Sequence, residues 1–375
     1  MAAPNAAPGV LTIDLAALTQ NWRMLARRVA PARCGAVIKA NAYGIGIEAA
    51  APALYRAGCR VFFVAHASEG KRARAALDLA CNVTVYTLNG LEENADPHAD
   101  YLTPGLCPVI GSPAEAARWM TLAADLATPL PYAIHADTGM NRLGFADADE
   151  ARAALGANAS VAGAALLMSH FVASEEPRNP LNAAQIARFE TMRGWFPGIP
   201  ASLANSSALF LPQRPIYDLV RPGYALYGGN PTPGLPNPMQ PVVSLDVAIQ
   251  QTRWIETGQT VGYNAQWTAP RRTRLATLLA GYADGLPRTA GATNDLAGAE
   301  VVIAGRRCPL VGRMSMDLCV ADVTDMPEGD ARAGAYAQFL GDEIGVDELG
   351  QRSRTIGYHI LTSLGSRYRR AYRGA

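Results

Sequence analysis

Eight short apolar segments recur between residues 36 and 221, and helical or loop segments separate each of them from the next. Continuous apolar segments of this length are typical of strands that are buried on both faces. Between them, Ser112-Pro113 supplies a helix N-cap and a first-turn proline, and residues 113–120 and 183–195 have helical spacing. The predicted strands are residues 36–39, 61–65, 83–88, 106–110, 132–136, 164–169, 201–204 and 218–221.

Eight strand–helix units over about 200 residues are the size and rhythm of a (β/α)8 barrel. The doubly wound parallel sheet shows the same alternation, and periodicity alone does not separate the two folds. We predict a TIM-like α/β barrel.

The alternation ends at residues 228–238, a segment rich in proline and glycine that reads as a linker. Beyond it the apolar period changes to two, which is typical of strands with one buried face. The predicted strands there are residues 242–255, 274–280, 301–304 and 318–323, with a helical passage around 346–363. We therefore predict a barrel over residues 1–235 and a mainly β domain over residues 236–375.

The composition narrows the possible partners and compartments. A net charge of +1 over 375 residues argues against nucleic acid or an anionic membrane as the main partner. The six cysteines are scattered, without C-x-x-C or histidine at metal-ligand spacing, which predicts free thiols and no metal site. No basic segment followed by an apolar one opens the chain, and no apolar run approaches membrane-spanning length. We expect a cytoplasmic protein.

The chain contains only two lysines, Lys39 and Lys71, although Lys and Arg together number 33. Lys39 stands where the first barrel strand ends, in uncharged surroundings, whereas Lys71 lies in a charged segment typical of solvent exposure. A partly desolvated lysine can form a Schiff base, and arginine cannot. Residues 44–49 also match the loose dinucleotide pattern G-x-G-x-x-A, but five residues separate the strand from the first glycine, so this match is weak.

Polar side chains follow several of the later predicted strands. His170 follows the sixth, Asn205-Ser206-Ser207 the seventh and Arg221-Pro222-Gly223-Tyr224 the eighth, while Arg142 lies in the loop after the fifth. Taken singly, Asn-Ser pairs more often cap helices, and a strand-end histidine more often belongs to the core. Together, on the face where barrels carry their active sites, they predict an anion site beside Lys39.

Several segments resemble the alanine racemase family. Val37-Ile38-Lys39-Ala40-Asn41-Ala42-Tyr43-Gly44 is similar to its pyridoxal-phosphate (PLP) lysine motif. Further blocks follow in the family's order at residues 137–144, 203–206, 220–223, 262–263, 281–285, 312–317 and 355–358. The resemblance implies a barrel followed by a β domain, with the first strand, about residues 10–14, joining the β domain.

The resemblance also implies a cofactor site. Lys39 would hold PLP covalently, Arg221 would face the pyridine nitrogen, and His170 would brace Arg221 and the ring. The residues implied to bind the cofactor phosphate are Tyr43, Asn205, Ser206, Gly223, Tyr224 and Tyr358.

For the substrate, the resemblance implies two bases on opposite faces of Cα, Lys39 and Tyr263. Tyr263 and Met316 would come from the partner subunit of a homodimer with shared sites. Arg142 would help hold the substrate carboxylate and the phenolic oxygen of PLP.

Three positions depart from the family pattern. Ile45 stands where many members have histidine, and Ser202 stands where some have a histidine that supports the pyridine-facing arginine. His135 stands where several have a lysine that positions the following arginine. The orientation of Arg142 is therefore open, and an anion is one substitute for that lysine.

The predicted function is a PLP-dependent racemase that interconverts L- and D-alanine, supplying D-alanine for peptidoglycan or alanine catabolism. The alternatives are a broad-specificity amino-acid racemase, a PLP-dependent decarboxylase, a PLP carrier without turnover and, last, an NAD-binding protein. Decarboxylases of the related fold place an acid at the pyridine nitrogen, which Arg221 argues against. The C-terminal domain with Tyr263 argues against a carrier.

Overall fold

The computed structural model describes residues 7–77, 82–156 and 162–374, so Cys81 lies outside the described residues. The chain forms two compact units. One comprises residues 18–226 and 230–239, and the other comprises residues up to 17, 227–229 and from 240 onward. Residue 235, where the sequence predicted a single boundary, thus lies within a segment that groups with the first unit.

The first unit contains a ring of parallel strands. Strands β3 to β9 form one sheet in sequence order, and β10 pairs in parallel with β2. The strands are β2 Arg33–Cys34, β3 Ala36–Val37, β4 Val61–Val64, β5 Thr84–Thr87, β6 Leu106–Ile110, β7 Tyr132–His135, β8 Ala164–Met168, β9 Ala201–Ser202 and β10 Leu219–Val220.

Backbone hydrogen bonds close this ring on both sides of β10. The Gly35 N–H donates to the Val220 carbonyl at 2.9 Å, and the Arg221 N–H donates to the Ala204 carbonyl at 2.9 Å. A doubly wound sheet has two free edges, so the closed ring excludes it and confirms the barrel. The eight predicted strands are confirmed.

Helices follow most of the barrel strands and cover their outer face. These α-helices are α1 Leu15–Val29, α2 Lys39–Tyr43, α3 Ile47–Ala57, α4 Ala67–Ala76, α5 Pro113–Asp125, α6 Ala148–Leu155 and α7 Pro180–Trp195. Two more described α-helices, α8 Val346–Arg352 and α9 Gly357–Ser363, lie in the second unit. Ser112 caps α5 as predicted, because its hydroxyl accepts from the Glu115 N–H. All residues of β4, β6 and β7 are buried, as expected for strands between a core and a helical layer. No helix of the described residues is long and apolar enough to cross a membrane.

The second unit is built on an eight-stranded sheet with the order β16-β15-β18-β11-β1-β19, and β14 and β17 continue from β11. Its strands are β1 Gly9–Asp14, β11 Val243–Ile255, β12 Thr260–Val261, β13 Trp267–Thr268, β14 Thr273–Leu278, β15 Glu300–Ile303, β16 Arg306–Pro309, β17 Cys319–Asp322, β18 Tyr336–Leu340 and β19 Arg369–Arg373. Strand β1 pairs antiparallel with β11 and parallel with β19, so the first strand of the chain belongs to this sheet.

Candidate active site

Lys39 stands at the start of a turn with an unusual backbone. The four residues after it, Ala40 to Tyr43, all have positive φ, between 50° and 55°, and Gly44 ends the turn at φ 84°. A left-handed conformation costs a non-glycine residue about 1–2 kcal/mol, and such strain persists only where the surroundings enforce it. The sequence places glycines at residues 44 and 46, just after these positions, but gives no sign of four consecutive left-handed residues.

The side chain of Lys39 is only partly accessible to solvent. Burial lowers the pKa of its amine, the positive charge of Arg142 lowers it further, and the carboxylate of Glu69 acts in the opposite direction. A lowered pKa increases the fraction of neutral amine, which is the form that attacks a carbonyl or accepts a proton.

Arg221 follows β10 and points into the barrel, where its side chain is 3% exposed. Its guanidinium donates to the Ser202 carbonyl at 2.8 Å, to the Ser202 hydroxyl at 2.6 Å and to the Ser169 carbonyl. Burial lowers the pKa of Arg221 to about 9, so it remains a cation at neutral pH. Ser202 therefore supports this arginine directly.

Two histidines near Arg221 are neutral at physiological pH. Burial, and then the charges of Arg221 and Lys39, lower the pKa of His170 to about 3. Burial, and then the charges of Arg221 and Arg142, lower the pKa of His135 to about 4. Among the described residues, His170 is not a hydrogen-bond partner of Arg221, so its bracing role stays a prediction.

The predicted phosphate ligands Tyr43, Ser206 and Gly223 lie together. The Ser206 hydroxyl accepts from the backbone N–H groups of Gly223 at 3.0 Å and Ala225 at 3.2 Å. A Cβ at Gly223 would collide with the Tyr43 hydroxyl and lie 3.1 Å from its Cζ atom. Burial raises the pKa of Tyr43, so its phenol stays protonated and able to donate. The Ser206 hydroxyl, held by these two amides, keeps its proton to donate, and two neutral hydroxyls side by side suit a phosphate group.

Two further predicted ligands flank this cradle. The Asn205 side-chain oxygen accepts from the Ala208 N–H at 3.1 Å and from the Ser174 hydroxyl at 2.9 Å, which leaves its NH2 group available to donate. Tyr224, the residue after Gly223, is buried.

If the predicted cofactor PLP binds here, replacing Gly223 by alanine is expected to weaken its binding by roughly 10- to 100-fold, the equivalent of one lost hydrogen bond to a charged group. The backbone of Gly223 is not left-handed, so the added Cβ acts through its collision with Tyr43 and its close approach to the Val37 Cβ, at 3.3 Å. Fluorescence titration with PLP measures the effect, and Gly194→Ala, with nothing within 4 Å of its added Cβ, is the control. Equal PLP affinity in the two variants would contradict the cradle.

Arg142 and His135 line a small recess together with Asp137, Met140 and His170. The Asp137 carboxylate accepts from the Gly139 and Met140 N–H groups at 2.8 and 2.9 Å, so it closes its own turn. Arg142 is exposed and donates no hydrogen bond to another described residue. A neutral His135 offers no charge to orient Arg142 in the way that an anionic group would.

Tyr263, Met316 and Tyr358 belong to the second unit. Tyr263 is 64% exposed and Met316 is 53% exposed. A Cβ at Gly262 would lie 3.0 Å from the Arg313 nitrogen, and the Ala283 N–H donates to the Met316 carbonyl at 2.9 Å. The motif blocks around residues 262, 282 and 315 therefore pack into one group of loops within this unit.

Comparison with known proteins shows which family the chain resembles in sequence and fold. The family described as alanine racemase, N-terminal domain, matches residues 13–231, and the alanine racemase, C-terminal domain, matches residues 242–372. An alanine racemase from Methylobacterium sp. (strain 4-46) is 53% identical over 362 residues, 96% of this chain and 97% of its own. A catabolic alanine racemase from Mesorhizobium japonicum is 43% identical, over 98% of this chain and 94% of its own. The crystal structure of alanine racemase from Bartonella henselae, with covalently bound pyridoxal phosphate, superimposes with a TM-score of 0.90 at 36% identity, covering 98% of this chain and 99% of that one.

Proposed function

The chain belongs to the alanine racemase family, and from this premise we propose that Lys39 and Tyr263 move the Cα proton of alanine with PLP held at Lys39. The reaction, interconversion of L- and D-alanine, is an isomerisation. It needs one group to remove the proton and a second group on the opposite face to return it. The observation that carries the proposal is a lysine amine of lowered pKa in the same barrel as a hydroxyl-and-amide cradle and a buried cation.

The residues of the barrel fit PLP. Lys39 would bond its aldehyde carbon. The Tyr43 and Ser206 hydroxyls would hold its phosphate, and the Gly223 N–H would exchange its hydrogen bond to Ser206 for one to the phosphate. Asn205 and Tyr224 of the barrel and Tyr358 of the second unit would be further ligands. When bound, PLP withdraws electrons from Cα and so makes its proton removable. The Bartonella henselae structure with covalently bound pyridoxal phosphate supports this assignment.

Arg221 would face the pyridine nitrogen. Its three hydrogen bonds to Ser202 and Ser169 fix the guanidinium, and its permanent charge disfavours a proton on that nitrogen. The ring then withdraws electrons less strongly, which favours return of the proton to Cα over side reactions. A decarboxylase of the related fold would need an acid here.

Tyr263 would act from a partner subunit. A large exposed tyrosine and an exposed methionine on adjoining loops are typical of an interaction surface. A second copy of the chain that covers them would place Tyr263 and Met316 at the mouth of its barrel, and the result is a homodimer with shared sites.

Arg142 would bind the substrate carboxylate. It has no acceptor among the described residues and stands close enough to Lys39 and His170 to lower their pKa values. His135 stands in place of the family lysine that positions this arginine. In its absence, the carboxylate of alanine itself or a bound anion would orient Arg142.

The product D-alanine would serve peptidoglycan synthesis or alanine catabolism, and a relative named catabolic supports the second role. We place the protein in the cytoplasm, which suits the five free cysteines among the described residues.

Borohydride reduction of the PLP-loaded protein, followed by peptide mapping, is expected to place the pyridoxyl group on Lys39. The chain offers only Lys71 as another lysine, and that side chain pairs with Asp100. Lys71→Arg is the control and should label and racemise like the wild type. A label on Lys71 alone, or none, would overturn the proposed function.

A further inference from the structure

Glu69 ties the turn that carries Lys39 to the neighbouring barrel strand. It lies in the first turn of α4. Its Oε1 atom accepts from the Asn41 N–H at 3.2 Å, and its Oε2 atom accepts from the Ala65 N–H at 2.9 Å. One carboxylate therefore joins the left-handed turn after β3 to the end of β4.

A second contact from α4 reaches the same turn. Arg72 donates to the Asn41 side-chain oxygen at 2.6 Å, and that oxygen also accepts from the Ile47 N–H at 3.2 Å. Arg72 in addition donates to both oxygens of Glu48, at 2.8 and 2.9 Å. Asn41, at the centre of the left-handed residues, is thus held through both its backbone and its side chain.

The turn needs such external contacts because its own residues do not favour it. Alanine strongly prefers the right-handed helix, and left-handed backbone persists only where surrounding contacts enforce it. Lys39 directly precedes this turn, so a relaxed turn would redirect its side chain. Glu69 is also the acid whose charge opposes the effects of burial and of Arg142 on the amine.

We propose that Glu69 is a positioning residue for Lys39, because its carboxylate fixes the left-handed turn through the Asn41 N–H and anchors that turn to the end of β4. This inference rests on the proposed role of Lys39. Glutamine at position 69 keeps the size of the side chain but loses the charge and one of the two acceptors.

The same barrel contains a matched control. The carboxylate of Glu115, in the first turn of α5, accepts from the Leu91 N–H at 2.9 Å and from the Gly111 N–H at 3.0 Å. Glu115 therefore joins the ends of β5 and β6 as Glu69 joins those of β3 and β4, but it serves no turn that bears a lysine. A purely structural role predicts that Glu69→Gln and Glu115→Gln behave alike.

The experiment compares the full-length wild type, Glu69→Gln and Glu115→Gln. The rate at which trinitrobenzenesulfonate modifies Lys39 is measured against pH in the cofactor-free proteins, with Lys71 as the internal reference. We expect both variants to lose thermal stability. Only Glu69→Gln should shift the pH midpoint of Lys39 reactivity to lower pH, and only this variant should weaken PLP binding, by about tenfold. Glu69→Asp, which restores the charge, should return the midpoint toward the wild-type value.

Equal Lys39 reactivity and PLP affinity in the two glutamine variants would overturn the inference. If Glu69→Gln does not fold, Arg72→Met removes the exposed second contact and should change PLP affinity in the same direction, and unchanged affinity would count against the inference. A wild type that places no PLP on Lys39 would instead overturn the proposed function, while the cofactor-free reactivity still tests Glu69.

Discussion

The Tyr263→Phe protein is expected to bind PLP as the wild type does and to lose racemase activity by roughly 10²- to 10⁴-fold, the contribution of one positioned base. Phenylalanine keeps the ring and deletes only the oxygen that would exchange a proton with Cα. Tyr263 is 64% exposed, so the substitution creates no cavity within its own unit.

The remaining base should leave a characteristic imbalance between the enantiomers. The family resemblance implies that Lys39 would remove the proton of D-alanine and Tyr263 that of L-alanine. In deuterated water, Tyr263→Phe should therefore still exchange the Cα hydrogen of D-alanine while exchange from L-alanine falls steeply. Tyr372→Phe, an exposed tyrosine on β19, is the control and should exchange both like the wild type. Equal loss for the two enantiomers would contradict the two-base arrangement.

The barrel could be predicted because its strands are buried on both faces. Strand β6, with all five residues buried, reads as an uninterrupted apolar segment, and the predicted and observed bounds coincide. The second unit was less readable. Strand β19 has the sequence Arg-Arg-Ala-Tyr-Arg and pairs at the edge of its sheet, where charge is favoured, so no apolar pattern marked it.

The residues of the site could be predicted from the sequence, but their geometry could not. Lys39 stood out because lysine is so rare in this chain and because it follows a strand. The left-handed turn could not be predicted, because an alanine-rich segment favours a right-handed helix. The contact that overrides this preference comes from Glu69, 28 residues further along the chain. The support of Arg221 by Ser202, 19 residues away, was hidden for the same reason.

Mixing two inactive variants is expected to restore racemase activity. Lys39→Ala lacks the first base and the covalent attachment point, and Tyr263→Phe lacks the second base. If Tyr263 acts in the partner's barrel, one site of each mixed dimer combines the intact Lys39 of one chain with the intact Tyr263 of the other. The second site of that dimer carries both substitutions.

The size of the recovery follows from this geometry. After free exchange at equal concentrations, half of the dimers are mixed and half of their sites are intact, so activity should return to about a quarter of the wild-type value. Subunit exchange is verified by mass spectrometry with one variant isotopically labelled, and each variant incubated alone is the control. Verified exchange without recovered activity would mean that both bases come from one chain, because a site built within a single subunit gains nothing from its partner.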